Sequence, residues 1–299
     1  MHGDRVEALA GASVGALNNI LTGHIEGGEV SGTVDESIRH AITKMSHIHF
    51  VSNEAARARL VQLGEREDTI YVIGSPDIDL MKLADLLPMA DVRQRYDFDF
   101  SEYGILMFHS VTTELQDLRR QIKLIVDEVI DSDLNYIVIY PNNDPGTDTI
   151  IAEYSRLAGN ERFKVYPSLR FEYFLTLLKN AQFIIGNSSA GVREAPHFGV
   201  PTINLGSRQK NRVLCNSILN VKINDSLIKK ALKDIHSITC LPQELFGDGS
   251  SDKKFYGILS SKKFWETNKQ KHFIDQEIVS NKSSLECCDE LPGVTENVE

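Results

Sequence analysis

The stretch Phe183-Ile184-Ile185-Gly186-Asn187-Ser188-Ser189-Ala190-Gly191 decides how the chain is read. A short apolar run, Phe183–Ile185, meets a glycine and then small hydroxyl residues, which predicts a buried strand turning into a helix from Ser189. Thr202–Asn204 follows as the last clear strand. Upstream the same alternation repeats. Helix Phe171–Leu178 follows strand Phe163–Val165, and a helix over 148–157 follows strand Tyr136–Ile139. Strand Ile105–Phe108 leads to a helix beginning at Thr113, with a Thr113–Gln116 capping box and an apolar stripe of Leu115, Leu118, Ile122, Ile125 and Val129. Nearer the start, helix Val6–Asn19, strand Ile48–Val51, helix Glu54–Leu63 ending at Gly64, and strand Ile70–Ile73 continue the pattern. Short apolar runs alternating with amphipathic helices mean βα units and parallel sheets. The charged, aromatic stretch Met81–Phe100, which includes Pro88, reads as a linker. The expected fold is therefore α/β, with two Rossmann-like domains and a cleft between them. Residues 1–86 belong to the first and 87–250 to the second, a helical segment covers 251–284, and 285–299 form a polar tail without structure.

The bulk numbers narrow the chemistry. The chain has 299 residues, 41% hydrophobic and 25% charged, as in soluble globular proteins, and its net charge is -10. An acidic balance argues against nucleic acid or an anionic membrane as partner, although a few placed arginines can still hold a phosphate. Cys215, Cys240, Cys287 and Cys288 make no C-x-x-C pair, so no metal site or disulfide framework is expected. No run reaches membrane-span length and no signal peptide is visible, which points to the cytoplasm. The sequons at Asn187 and Asn281 are then coincidental.

In open α/β sheets ligands sit beyond the carboxyl ends of the strands. The polar residues expected there are His24, Glu26, His109, Asn142, Asn187, Ser188, Ser189 and Asn204. Ser188 and Ser189, at a strand-to-helix turn, offer hydroxyls and free N–H groups to an anion; a plain serine N-cap is the other reading. Glu194 falls past the positions of a capping partner, so it is either a solvated helix residue or an acceptor for two ribose hydroxyls. No G-x-G-x-x-G is present, so no nicotinamide or flavin cofactor is expected. The second cluster is His24-Ile25-Glu26-Gly27-Gly28-Glu29-Val30-Ser31-Gly32-Thr33-Val34-Asp35-Glu36. Glu36 fits a capping box with Thr33, and Asp35 stands four residues before Arg39. Glu26 is the better acid–base candidate, because carboxylates gathered in one cleft raise one another's pKa; a solvated acidic loop is the alternative. Asp4 and Arg5 precede the first helix, where an aspartate N-cap is common. His109 reads as a core or capping histidine, and His47 and His49 as structural.

Together these segments resemble the hydrolysing UDP-N-acetylglucosamine 2-epimerases of sialic acid synthesis. The matching pieces are GDRVEALA from Gly3, HIEGGEVSGTVDESIRHAITK from His24, LGE at Leu63, GSPDIDLM from Gly74, HSVTTE from His109, YPN at Tyr140, IGNSSAGVRE from Ile185, PTINLGSRQ from Pro201 and GDG from Gly247, covering Gly3 to about Lys263. The resemblance implies a glycosyltransferase-B-like architecture and a reaction needing neither metal nor cofactor. UDP leaves C1 as the C2 proton is removed, and water adds to the 2-acetamidoglucal to give N-acetylmannosamine. By motif it implies Asp4, Glu26, Asp35 and His109 as acid–base residues, and Arg5, Asn142, Ser188, Ser189, Glu194 and Arg208 as ligands of the UDP-sugar; Lys210 and Arg212 add positive charge near the last of these. It also implies a homo-oligomer, dimer or tetramer. Ser110 departs from the proline usual after the histidine. The larger departure is at the start, where relatives carry further βα units. At roughly 30 residues per unit, two or three would be about 80 residues. Met1 is accordingly expected to be internal to a longer protein, and the chain alone inactive or very weakly active. The other readings are an epimerase acting on UDP-di-N-acetylbacillosamine, a glycosyltransferase of the same fold, and a non-catalytic UDP-binding remnant.

Overall fold

The structure, a computed structural model, describes residues 1–31, 34–81, 86–209 and 215–275. Thr33, Lys210, Arg212, the Asn281 sequon, Cys287, Cys288 and the tail lie outside those residues.

Two parallel sheets form. The first takes β1 (Gly23–Ile25), β2 (Ile48–Val51) and β3 (Ile70–Val72) in that order, with His2 adding a single bridge to Ile25. Helices α1 (Val6–Leu17), α2 (Val34–Met45) and α3 (Glu54–Gln62) alternate with these strands, and α3 is capped by the Asn53 side chain. The second sheet takes β4 (Gly104–Met107), β5 (Tyr136–Ile139), β6 (Phe163–Tyr166), β7 (Phe183–Gly186), β8 (Thr202–Leu205) and β9 (Ile218–Val221) in the order β6-β5-β4-β7-β8-β9. This is the doubly wound order, with its switch point between β4 and β7. The edge strand β9 is absent from the sequence reading, because its mixed ILNV run has only one fully buried residue.

Alternation along each strand sends neighbours to opposite faces. Leu106, Val138 and Ile185 join one core with Leu118, Ile122, Ile125 and Val129 of α6 (Leu118–Asp131). Ile105, Ile137 and Ile184 join the other with Leu175, Leu177 and Leu178 of α8 (Phe171–Lys179). The second core also takes Ile78 from α4 (Pro76–Asp79), Met81 just after it, and Val92 from α5 (Met89–Tyr96). The stretch read as a linker thus contains a helix docked on the second sheet. The expected capping box at Thr113 does not start α6. Residues Thr112–Glu114 form a 3-10 turn, the helix begins at Leu118, and Leu115 stays 40% exposed. The helix expected from Ser189 is likewise split, into a 3-10 turn Ser189–Gly191 and the short α9 (Glu194–Phe198).

α7 (Thr147–Tyr154) and, after β9, α10 (Asp225–Asp234) pack on the same face as α6, with Ile150, Tyr154, Ile228 and Leu232 in its core; α11 (Ser251–Leu259) and α12 (Lys262–Trp265) follow. The last two return to the first sheet, where Phe255 stacks edge-on to Phe50 at 4.7 Å and Phe264 is buried. Asp79 caps α11 by accepting from Ser251 N–H (2.9 Å), Ser251 Oγ (2.7 Å) and Asp252 N–H (2.9 Å). Among the described residues no helix is long and apolar enough to cross a membrane.

Gly186 ends β7 at φ +137°, and a Cβ there would lie 1.9 Å from the Met107 carbonyl oxygen. Gly186→Ala combines strain with a backbone collision and is expected to cost about 3 kcal/mol or more. Gly159→Ala, also at positive φ but with nothing within 4 Å of a Cβ, is expected to cost about 1 kcal/mol. Thermal unfolding of the two variants checks this; equal melting temperatures would refute the collision. Asp79→Ala should loosen α11 by about 1–2 kcal/mol, seen as faster amide exchange over 251–259 with the second sheet unchanged.

Candidate functional site

The β4–β7 switch point opens a crevice, and one side chain holds its lips together. Asn187 Oδ1 accepts from His109 N–H at 2.7 Å, and its Nδ2 donates to the His109 carbonyl at 2.8 Å. The Asn187 carbonyl in turn accepts from Arg208 Nη1 (3.0 Å) and Gln209 Nε2 (3.3 Å), which fixes those two at the crevice. His109 Nδ1 accepts from Asn142 N–H at 3.2 Å. Burial, helped by the charge of Arg208, lowers the His109 pKa to about 4, so the imidazole is neutral at pH 7. Ser188 serves as a cap, accepting from Ala190 N–H, while Ser189 faces the crevice.

The opposing wall comes from the first sheet. Met1 and His2 run beside β1, which brings Gly3, Asp4 and Arg5 to its carboxyl end. Buried His24 anchors them, its Nε2 on the Gly3 carbonyl at 2.9 Å and Nδ1 on Thr43 Oγ1 at 3.0 Å. Its pKa is lowered to about 3, chiefly by burial. Asp4 is not an N-cap: Arg5 occupies that position without a side-chain cap, and Asp4 pairs with Arg39. Arg39, itself buried, also donates to the Glu29 carbonyl at 3.0 Å. Glu36 reaches back to Ser31 N–H at 2.6 Å, the structural task expected of a first-turn glutamate.

Between the walls lies Arg193, just before α9. Its Nη2 donates to Glu26 Oε1 (2.6 Å) and Ser75 Oγ (2.7 Å), its Nη1 meets Glu29 Oε2 (3.2 Å), and Asp77 stands 3.6 Å away. Glu26 also accepts from Ser75 Oγ and meets His2 Nε2 at 3.2 Å. Burial by itself pushes the Glu26 pKa up. The His2 hydrogen bond, the Arg193 charge and the Ser75 hydroxyl outweigh it, and the carboxyl titrates well below its ordinary range. This corrects the expectation that clustered carboxylates raise the pKa of Glu26, because His2 and a guanidinium sit among them. Asp77 shows the expected direction: burial and the Glu26 charge raise it.

One cleft of about 260 Å³ therefore collects Asp4, Arg5, Glu26 and Asp35 from the first sheet's side with Asn142, Ser189 and Arg208 from the second. His109, Ser188 and Glu194 adjoin it: His109 behind Asn142, Ser188 as the cap before Ser189, and Glu194 buried at the start of α9. His24 and Asn204 lie apart from the cleft, and Asn204 donates to Asn220 Oδ1 at 2.7 Å. Sequence reasoning missed Arg193, Glu29, Ser75 and Gln209. The signal for Arg193 was present, since one arginine stands among small and apolar residues in Ala190-Gly191-Val192-Arg193-Glu194, and a cation in such a run is usually paired.

The sequence profile of the family described as UDP-N-acetylglucosamine 2-epimerase matches residues 1–260. The UDP-N-acetylglucosamine 2-epimerase of Neisseria meningitidis serogroup B is 46% identical over 92% of this chain and 74% of its own length. The hydrolysing UDP-N,N'-diacetylbacillosamine 2-epimerase of Legionella pneumophila is 32% identical over 87% of this chain and 69% of its own. The polysialic acid biosynthesis protein P7 of Escherichia coli is 33% identical over 87% and 63% respectively. In fold, the Methanocaldococcus jannaschii UDP-GlcNAc 2-epimerase in complex with UDP-GlcNAc and UDP superposes with a TM-score of 0.74 at 24% identity, covering 87% of this chain and 74% of that one. With the family's sequence profile along most of its length, and motif residues from both sheets gathered at one cleft, this chain belongs to the UDP-N-acetylglucosamine 2-epimerase family.

Proposed function

We propose that the protein is a hydrolysing UDP-N-acetylglucosamine 2-epimerase of sialic acid biosynthesis, converting UDP-N-acetylglucosamine and water to N-acetylmannosamine and UDP in the cytoplasm. The observation that carries this reading is the single cleft lined by Asp4, Arg5, Glu26, Asp35, Asn142, Ser189 and Arg208. Breaking the C1–O bond releases UDP with its electron pair on the diphosphate, and Arg5 and Arg208 supply positive charge for that group. Loss of the C2 proton to a carboxylate closes the 2-acetamidoglucal double bond. Water then adds its oxygen to C1 and a proton returns to C2 from the other face. Inversion at C2 needs protonic groups on two sides, and Asp4 and Glu26 are held by different arginines, Arg39 and Arg193. Neutral His109 acts through its Asn142 contact or as a proton donor to the leaving group. Glu194 and Ser188 hold the nucleoside beside the crevice. The 46% identical relative carries the N-acetylglucosamine name, whereas those named for diacetylbacillosamine stand at 32% and 36%, which favours the former substrate.

Turnover in heavy water is expected to place one deuterium at C2 of the released sugar, read by NMR; product with protium at C2 would exclude elimination. Glu194→Ala should weaken UDP binding by about 10- to 100-fold, the loss of charge-assisted hydrogen bonds to ribose. Calorimetry showing parental affinity would remove Glu194 from the nucleotide site.

A further inference from the structure

Arg193 belongs by sequence to the segment that holds the nucleotide, yet its guanidinium is buried in the other domain's acidic loop. Its backbone N–H donates to the Ser189 carbonyl at 2.9 Å, and Glu194 is its chain neighbour. Phe246 lies under the guanidinium at 5.1 Å, and Nε is buried with no hydrogen-bond partner among the described residues. Its two Nη atoms reach one oxygen each of Glu26 and Glu29, and Ser75 completes the contact.

We infer that Arg193 is a positioning residue for the reaction: it carries the geometry of the nucleotide segment across the cleft and sets the orientation and protonation state of Glu26. This rests on the acid–base role of Glu26 proposed above. A plain tie between domains would bury an arginine against any two carboxylates; here one of the two is a cleft-lining acid–base candidate, and the arginine also lines the cleft. The groups facing Glu26 are His2 from the N-terminal segment, Glu29 from its own loop, Asp77 beside Ser75 on α4, and Arg193 from the second domain. Removing Arg193 leaves the buried carboxylate with only half-exposed His2 as a cation and with acidic neighbours, so its proton is released at higher pH. The anionic diphosphate, entering near Arg193, acts in the same direction and makes Glu26 more basic when substrate is present.

The test is the pH dependence of kcat/KM, with UDP affinity measured beside it. In Arg193→Met the acidic limb should move up by at least about one pH unit, and kcat should fall at least about tenfold while the UDP Kd stays within about threefold. Arg193→Lys keeps the charge but not the fork, so its limb should stay near the parent's while kcat remains reduced. A folded Arg193→Met with the parent's limb overturns the inference. So does a loss of UDP affinity as large as the loss in kcat, which would make Arg193 a phosphate ligand. Should Arg193→Met not fold, parental kcat in Arg193→Lys overturns it. Glu26→Gln is assayed in parallel. If it is as active as the parent, the acid–base role of Glu26 falls and this inference with it. If it is inactive while Arg193→Met keeps the parent's profile, only the positioning role of Arg193 falls.

Discussion

A guanidinium taken out of water costs several kcal/mol unless anions and hydrogen-bond acceptors come with it. Arg193 meets that condition only across the interface, because its partners Glu26, Glu29, Ser75 and Asp77 all belong to the first domain's side of the cleft. The two carboxylates have the converse need, since each is buried and each would be costly without a cation. The approach of the two walls of the cleft and the satisfaction of three buried charges thus depend on one contact. Together with His2 and Ser75, the same contact holds Glu26 ionised, and it places the carboxylate opposite the serine-rich turn.

The rest of the site is arranged around backbone groups that sheet topology leaves available. The β4–β7 switch point parts the helices on the two faces, and the Asn187 carboxamide bridges the resulting gap to the His109 backbone. Gly186 lets β7 pass close enough to Met107 for that bridge to form. In the first sheet His24 does comparable work, tying the Gly3 carbonyl to α2 and so setting the direction in which Asp4 and Arg5 leave the strand. Buried neutral histidines suit this task, because an imidazole can donate at one nitrogen and accept at the other without a charge to solvate.

The C-terminal helices add a second link between the domains. Gly247 and Gly74 approach so closely that a Cβ on Gly247 would sit 2.7 Å from the Gly74 Cα, and Ser75 N–H donates to the Phe246 carbonyl at 2.7 Å. Ser75 therefore joins both links, with its backbone on this crossing and its hydroxyl in the Arg193 cluster. Further on, Lys271 inserts beside α2 and reaches Glu65 at 2.5 Å, next to Lys44 and His49. That buried cluster lowers the Glu65 pKa to about 2 against the upward push of burial. The segment expected to be helical over 251–284 is, around Lys271, an irregular strap over the first domain.

By itself the sequence determined the α/β class, the parallel sheets and most strand positions, because short continuous apolar runs and amphipathic helices leave local signatures; Ile48–Val51 and Tyr136–Ile139 lie where those signatures place them. It also carried the motif residues, since strand-end polar side chains next to glycines stand out without coordinates. Where an element depended on distant packing, local signals misled. The Thr113 capping box lost to a 3-10 turn, β9 hid in a half-exposed run, and α5 docked where a linker was expected. Tertiary structure alone decided the protonation of Glu26, because that depends on His2, Arg193 and Ser75 converging on it, the second of them from 167 residues away. Coulomb energy and desolvation are set by distance in space, and nothing in the spacing of Glu26 and Arg193 along the chain encodes it.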